Sequence, residues 1–220
     1  KDTDLPHMLP KKEAWEKIMS SLGINNGDNI LIYDNSDLKS SCRLWFSLLY
    51  FGHDEKKIHI LNGGLKKWIF ENKPITKLTT EIIKSNYVTN EKENLVVSFD
   101  QIKKNILSKS FNVIDARSLE RFEGKVSEPR KGLRSGHIQN SFCLPFNQCI
   151  NQKTGEFKNL EELRELFNQN ENIEKRLDQV FTCGSGVTAA VLAYAYKMVN
   201  NDYIPKIYDG SWSEYGKYPA

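Results

Sequence analysis

Residues 181–190, FTCGSGVTAA, set a thiol between two apolar runs. The residues ahead of it, DQVF, read as a strand, and VTAAVLAYAYKMV behind it reads as a helix. A cysteine at such a strand-to-helix turn lies over the helix N-terminus, where unpaired N–H groups and the helix dipole favour an anion. That setting favours the thiolate, the nucleophilic form of the side chain. Gly184 and Gly186 let the backbone curl so that successive N–H groups point inward, and Ser185 and Thr188 add hydroxyls. The competing reading is a small buried hydrophobe. An inert buried thiol needs no glycine-rich collar, so the collar favours a reactive Cys183.

The same pattern occurs earlier in the chain. NILIYDNSD, LKSSCRLWFSLLYFG and KKIHILNGGLKKW match DQVFTCGSG, VTAAVLAYAYKMV and IPKIYDGSWSEY. Each set is an apolar strand, a polar turn, an apolar helix, a short strand and a glycine turn followed by Trp. Asp34 and Cys183 hold equivalent places, 29 residues before Gly63 and 27 before Gly210. The matched spacing points to an internal duplication and to parallel strands joined across helices.

Between the two sets, SFDQIKKNILSKS reads as a helix capped by Ser98 or Asp100, FNVIDAR as a strand, NSFCLPF as a strand and NLEELRELFNQN as an amphipathic helix. KKEAWEKIMSSLGI reads as a helix before the first set. NKPITKLTTEIIKSNYVTNEKEN lacks clear periodicity and reads as a linker. The expected fold class is α/β: two tandem domains, each a parallel sheet flanked by helices. Residues 1–78 form a non-catalytic first domain, 79–97 the linker and 98–220 the catalytic domain. The opening strands of the first domain are missing, so it reads as N-terminally truncated.

Composition narrows the function. Thirty-one basic and 28 acidic residues leave a net charge of +3, with no clustered basic face for nucleic acid. The longest apolar stretch, near residues 189–196, is too short to cross a membrane. Cys42, Cys143, Cys149 and Cys183 form no CxxC pair and no metal-type spacing with the four histidines, so neither metal nor cofactor is expected. A 220-residue chain with four cysteines fits a reducing, intracellular setting, cytoplasmic or mitochondrial.

Two anion-binding motifs are excluded. A phosphate-binding P-loop needs Gly-Lys-Ser/Thr, and here Val187 follows Gly186. A cysteine phosphatase loop ends in Arg six residues past the Cys, where this chain has Ala189. Basic groups cluster instead in DARSLERFEGKVSEPRKGLRSGHI, with Arg117, Arg121, Arg130 and Arg134. An arginine fork suits a carboxylate, although arginines in such a loop also pair with Glu120, Glu123 and Glu128.

Taken together, TCGSGVTAA, RFEGKVSEPR, YDGSW, YDNSD, LNGGLKKW and HMLP resemble the two-domain rhodanese-like sulfurtransferases that use 3-mercaptopyruvate. The resemblance runs from His7 to about Tyr215. It implies that Cys183 carries sulfur as a persulfide and that Asp34 occupies the corresponding place in an inactive first domain. It implies that Arg121 and Arg130 bind the carboxylate and keto oxygen of the substrate, with Gly184, Gly186, Val187 and Thr188 around the sulfur. Ser185 and His7 match two members of a hydrolase-like triad whose Asp falls before Lys1. Relatives that prefer thiosulfate carry basic side chains after the Cys, whereas Gly184-Ser185-Gly186 is small and neutral.

A thiol acceptor such as thioredoxin then takes the sulfur, and no nucleic-acid or membrane partner is expected. Arg117 and Arg134 are structural or solvated in this reading. Lys39 and Ser40 fall where relatives often place a substrate-contacting Tyr. The alternatives are a thiosulfate sulfurtransferase and a persulfide relay or interaction module for tRNA thiolation.

Overall fold

A computed structural model describes residues 3–169 and 173–218. In the first half, helix α1 (Lys12–Ser21) precedes strand β1 (Ile30–Ile32), helix α2 (Ser41–Tyr50), strand β2 (Ile58–Ile60) and helix α3 (Gly64–Phe70). β1 and β2 pair in parallel, Ile30 opposite Ile58. In the second half come β3 (Val96–Val97), α4 (Phe99–Ser108), β4 (Phe111–Asp115), α5 (Leu119–Phe122) and β5 (Phe142–Cys143). They are followed by α6 (Leu160–Asn168), β6 (Asp178–Thr182), α7 (Ala189–Val199), β7 (Lys206–Tyr208) and α8 (Ser211–Tyr215).

The local signals act as read. Ser98 caps α4 in a reciprocal box with Gln101, and Asn159 caps α6 in the same way with Glu162. The second sheet has strand order β3-β7-β6-β4-β5, with all neighbours parallel. From β4 the chain goes to β5 on one side and returns as β6 on the other. The carboxyl ends of β4 and β6 therefore flank a topological switch point, where open α/β sheets place their ligand sites. Cys183 directly follows β6 at this point.

Burial explains the sequence pattern of the centre. Residues 179–182 of β6 are all buried, as expected for a strand covered on both faces. Ala189, Ala190, Ala193 and Ala195 of α7 are fully buried, and their small side chains let neighbours approach closely. α2 of the first half packs against α7 of the second. Trp45 meets Tyr194 edge-on with ring centroids 5.0 Å apart, and Phe157 lies 5.2 Å from the same Tyr194. Burying Trp45 contributes about 2–3 kcal/mol. An exposed ion pair such as Lys66–Asp37 contributes about 0–1 kcal/mol. Apolar contact between α2 and α7 joins the halves, with ion pairs such as Arg43–Asp209 added to it.

The segment read as a linker is more ordered than its composition suggests. Ser85 N–H donates to Ser20 O at 3.1 Å, and Asn90 N–H donates to Phe51 O at 3.0 Å. Thr89 donates from backbone and hydroxyl to Glu16 Oε1, holding that carboxyl below its ordinary pKa. Tyr87 is buried, and its backbone N–H reaches Ser20 Oγ. Residues 96–97 then enter the second sheet as β3, next to β7. A two-residue strand carries too little alternation to be read from sequence. No helix among the described residues is long and apolar enough to cross a membrane.

Candidate active site

β6 delivers Cys183 to the switch point with 2% of its surface exposed. Its backbone is held by the turn after β7. Ser211 Oγ accepts from Cys183 N–H at 3.3 Å and donates to Tyr208 O at 2.8 Å. Trp212 N–H and Ser213 N–H donate to Cys183 O and Gly184 O, each at 2.9 Å. Ser211 adopts a left-handed conformation, φ 50°, to make this clamp. YDGSW was legible as a motif, but only the fold shows that Ser211, Trp212 and the following Ser213 fix the cysteine turn.

The collar around the sulfur divides its tasks. Ser185 N–H points to Cys183 Sγ at 3.4 Å. Gly186 has φ +79°, and a Cβ there would lie 3.0 Å from Asp209 Oδ1 and 3.1 Å from Arg43 Nη1. Gly184 instead provides space: a Cβ would sit 3.2 Å from Arg121 Nη2 and 3.4 Å from Arg130 Nη1. Val187 and Thr188 begin the turn of α7, where Ala190 N–H meets Val187 O and Val191 N–H meets Thr188 O. The Thr188 hydroxyl makes no capping bond.

The arginines separate by burial, which sequence alone could not reveal. Arg117 is 2% exposed and donates to Asp115, Glu128 and the carbonyl of Gly136. Burial works against its charge, but Asp115 and Glu128 outweigh that and raise its pKa above the ordinary value. Glu128 is equally buried and also grips Arg121, through Nε at 3.1 Å and Nη2 at 2.5 Å. The fork fixes the guanidinium of Arg121 over Gly184. Arg130 reaches the same loop, with Nη2 donating to Ser185 Oγ at 3.2 Å. Arg134 lies over the rings of Trp212 and Tyr215 and donates to Tyr218 O. Asp115 and Glu128 pair with Arg117 and Arg121, and Arg130 has no ion pair among the described residues. One positive charge is left over the cysteine turn.

The first half closes the other side. His7 Nδ1 lies 2.8 Å from Ser185 Oγ. Arg43, from α2, was missed by sequence reasoning because it acts across the two halves. It pairs with Asp209 at 2.6 Å, donates to His7 O at 2.8 Å and reaches Gly186 O at 3.4 Å. Asp209 Oδ2 also accepts from Leu9 N–H at 2.9 Å. Arg43 and Asp209 thus hold the segment bearing His7 against the loop bearing Ser185.

The remaining thiols stand apart from this machinery. Burial, with a contribution from the Asp34 charge, pushes Cys42 far above the usual thiol range. Burial pushes Cys143 and Cys149 up to about 12. All four cysteines are free.

Known proteins resemble this chain in sequence and fold. The chain is 36% identical over 238 residues to the mitochondrial thiosulfate/3-mercaptopyruvate sulfurtransferase 1 of Arabidopsis thaliana, covering 99% of this chain and 62% of that protein. It is 35% identical to human 3-mercaptopyruvate sulfurtransferase, covering 95% of this chain and 69% of the relative. Across these two and the Escherichia coli 3-mercaptopyruvate sulfurtransferase, the chain spans 62–73% of the relative's length. The crystal structure of SseA from Escherichia coli, described as a 3-mercaptopyruvate sulfotransferase, superposes with a TM-score of 0.83 at 31% identity. That likeness covers 97% of this chain and 78% of SseA. The rhodanese-like domain family matches residues 3–71 and 98–218, the two duplicated halves, and the chain is a member of that family.

Proposed function

We propose that the protein is a sulfurtransferase that takes sulfur from 3-mercaptopyruvate onto Cys183 and passes it to a thiol acceptor. The observation that carries the reading is the convergence of Arg121, Arg130 and the His7–Ser185 pair on the turn holding Cys183. Relatives named for 3-mercaptopyruvate, and for thiosulfate with it, support the reaction class.

In this mechanism the Cys183 thiolate attacks the substrate sulfur. The S–S bond forms as the S–C bond breaks, and the electron pair passes to carbon, giving pyruvate enolate. The proton of the substrate thiol moves by way of Ser185 and His7 to the enolate carbon, and pyruvate leaves. Ser185 is suited to the relay because it accepts from Arg130 while sharing a proton with His7. The Ser185 amide stabilises the anionic persulfide. An acceptor thiolate, from a small thiol or a thioredoxin-like protein, then attacks the outer sulfur and restores the Cys183 thiolate.

Electrostatics favour the donor. The single uncompensated positive charge suits the monoanionic carboxylate of 3-mercaptopyruvate. The neutral Gly184-Ser185-Gly186 loop offers nothing to neutralise the second charge of thiosulfate. The test is turnover with each donor at equal concentration, following pyruvate release and sulfur transfer to a thiol. Faster turnover of 3-mercaptopyruvate is expected, and faster turnover of thiosulfate overturns the donor assignment.

A further inference from the structure

A second cleft lies beside the corresponding turn of the first half, next to the position that Asp34 fills. The crest around Asp37 and Lys39 and the turn at Gly63 correspond to residues 183–188 and to the turn after β7. Together with residues 146–155 of the second half they enclose a cleft of about 580 Å³. That volume suits a small organic molecule.

Both walls are fixed. Asn151 Oδ1 accepts from Lys153 N–H at 3.0 Å, Gly155 N–H donates to Asn151 O at 2.8 Å, and Ile150 bridges Phe157. Asn62 Oδ1 accepts from Phe157 N–H at 2.8 Å, and Lys67 pairs with Glu156, so this wall is tied to the first half. Lys39 sits in a left-handed conformation, φ 51°. Its Nζ lies 3.2 Å from where a Cβ on Gly155 would stand, a position open because residue 155 is glycine.

The charges in the cleft do not cancel. Lys66 is paired with Asp37 at 2.6 Å, and Lys67 with Glu71 and Glu156. Among the described residues Lys39 and Lys153 have no ion-pair partner. Beside these two ammonium groups lie the apolar surfaces of Phe146, Ile150 and Phe70, the last 85% exposed. Uncompensated cations next to exposed aromatic surface recognise an anion on an apolar frame.

The geometry points to a second ligand site in this cleft, for a small organic anion with an aromatic or apolar body. Its anionic group meets Lys39 and Lys153, and its body rests on Phe70, Phe146 and Ile150. Because the walls come from both halves, an occupant bridges them and stabilises their arrangement.

The test uses Cys183→Ser protein, in which no sulfur chemistry occurs. Naphthalene-2-sulfonate is titrated by equilibrium dialysis, with 2-(hydroxymethyl)naphthalene as the uncharged control. The expected result is one site per chain that binds the sulfonate at least about tenfold more tightly than the alcohol and weakens as salt is raised. Lys39→Gln with Lys153→Gln weakens it at least about tenfold, while Arg130→Ala leaves it in place. Lys39→Glu alone gives the same loss if the double variant folds poorly. No saturable binding, equal binding of the alcohol, or loss with Arg130→Ala and not with the lysine variants overturns the assignment.

Discussion

Asp34 and Cys183 stand at the same point of two copies of one frame, and the frame treats their backbones alike. Leu65 N–H donates to Asp34 O at 2.9 Å, and Trp212 N–H donates to Cys183 O at 2.9 Å. The residue before each donor is left-handed: Gly64 at φ 60° and Ser211 at φ 50°. The side chains diverge. Asp34 puts one carboxylate oxygen 2.6 Å from Ser41 N at the start of α2 and the other 3.2 Å from Ser36 N. The first crest has filled its anion site with its own carboxylate. The second crest holds a neutral loop, a sulfur and two arginines. The difference teaches that one frame can hold either a bonded carboxylate or a thiol, and in the proposed function that side chain decides between stability and chemistry.

Exchanging the two side chains is the strongest way to break this comparison. Cys183→Ser is expected to reduce pyruvate release to background. Adding Asp34→Cys to that variant restores nothing, because the arginines converge on Gly184. Restored turnover would show that the crest alone suffices.

The next effect concerns the contact that joins the crests. Arg43→Met leaves the buried Asp209 carboxylate, 3% exposed, without its ion pair. Breaking such a pair costs about 3 kcal/mol, a fall in Tm of about 6–12 °C for a chain of this length. Activity falls as well, because His7 loses its anchor, and Asp209→Asn added to Arg43→Met recovers part of the stability. A Tm unchanged by Arg43→Met would remove the cross-half lock from the account.

A smaller change tests the filled crest. Asp34→Ala removes a carboxylate cap at a cost of about 1 kcal/mol, or about 2–4 °C in Tm, and leaves turnover as it was. A large loss of turnover with intact stability would place Asp34 in the chemistry.

The remaining test is alkaline. Native Cys143 and Cys149 keep their protons to about 12, whereas the same thiols in the unfolded chain lose theirs near 9.0. Between these values the unfolded state binds fewer protons, so stability holds below pH 9 and declines as pH rises toward 12. Cys149→Ala makes that decline shallower in thermal melts across this range. An unchanged slope would mean that the thiol is not protected by burial.

Legibility in the sequence followed the range of the interactions. The strand–turn–helix–strand repeat was readable because apolar runs and glycine turns are local patterns. Cys183 and its glycine collar were readable for the same reason, whereas Ser185, Arg121 and Arg130 were singled out by the family resemblance. Arg43 and Asp209 were not, since their meaning depends on α2 of one half meeting the turn after β7 of the other. Spacing did not separate Arg117 from Arg121; the resemblance left Arg117 structural or solvated, and burial beside Asp115 and Glu128 decides for structural. β3 was hidden in a polar stretch because two residues carry no period. Gly184 and Gly186 looked alike in sequence, yet one gives arginines room and the other supplies a positive φ.

The central claim is that the second crest leaves its sulfur open for covalent transfer while the first cannot take part. Intact-mass and peptide mass spectrometry after exposure to 3-mercaptopyruvate, with no acceptor present, tests it most directly. The account predicts one added sulfur, about 32 Da, carried on Cys183 and removed by a thiol reductant. An unmodified Cys183, or a sulfur found on Cys42, Cys143 or Cys149 instead, would contradict it.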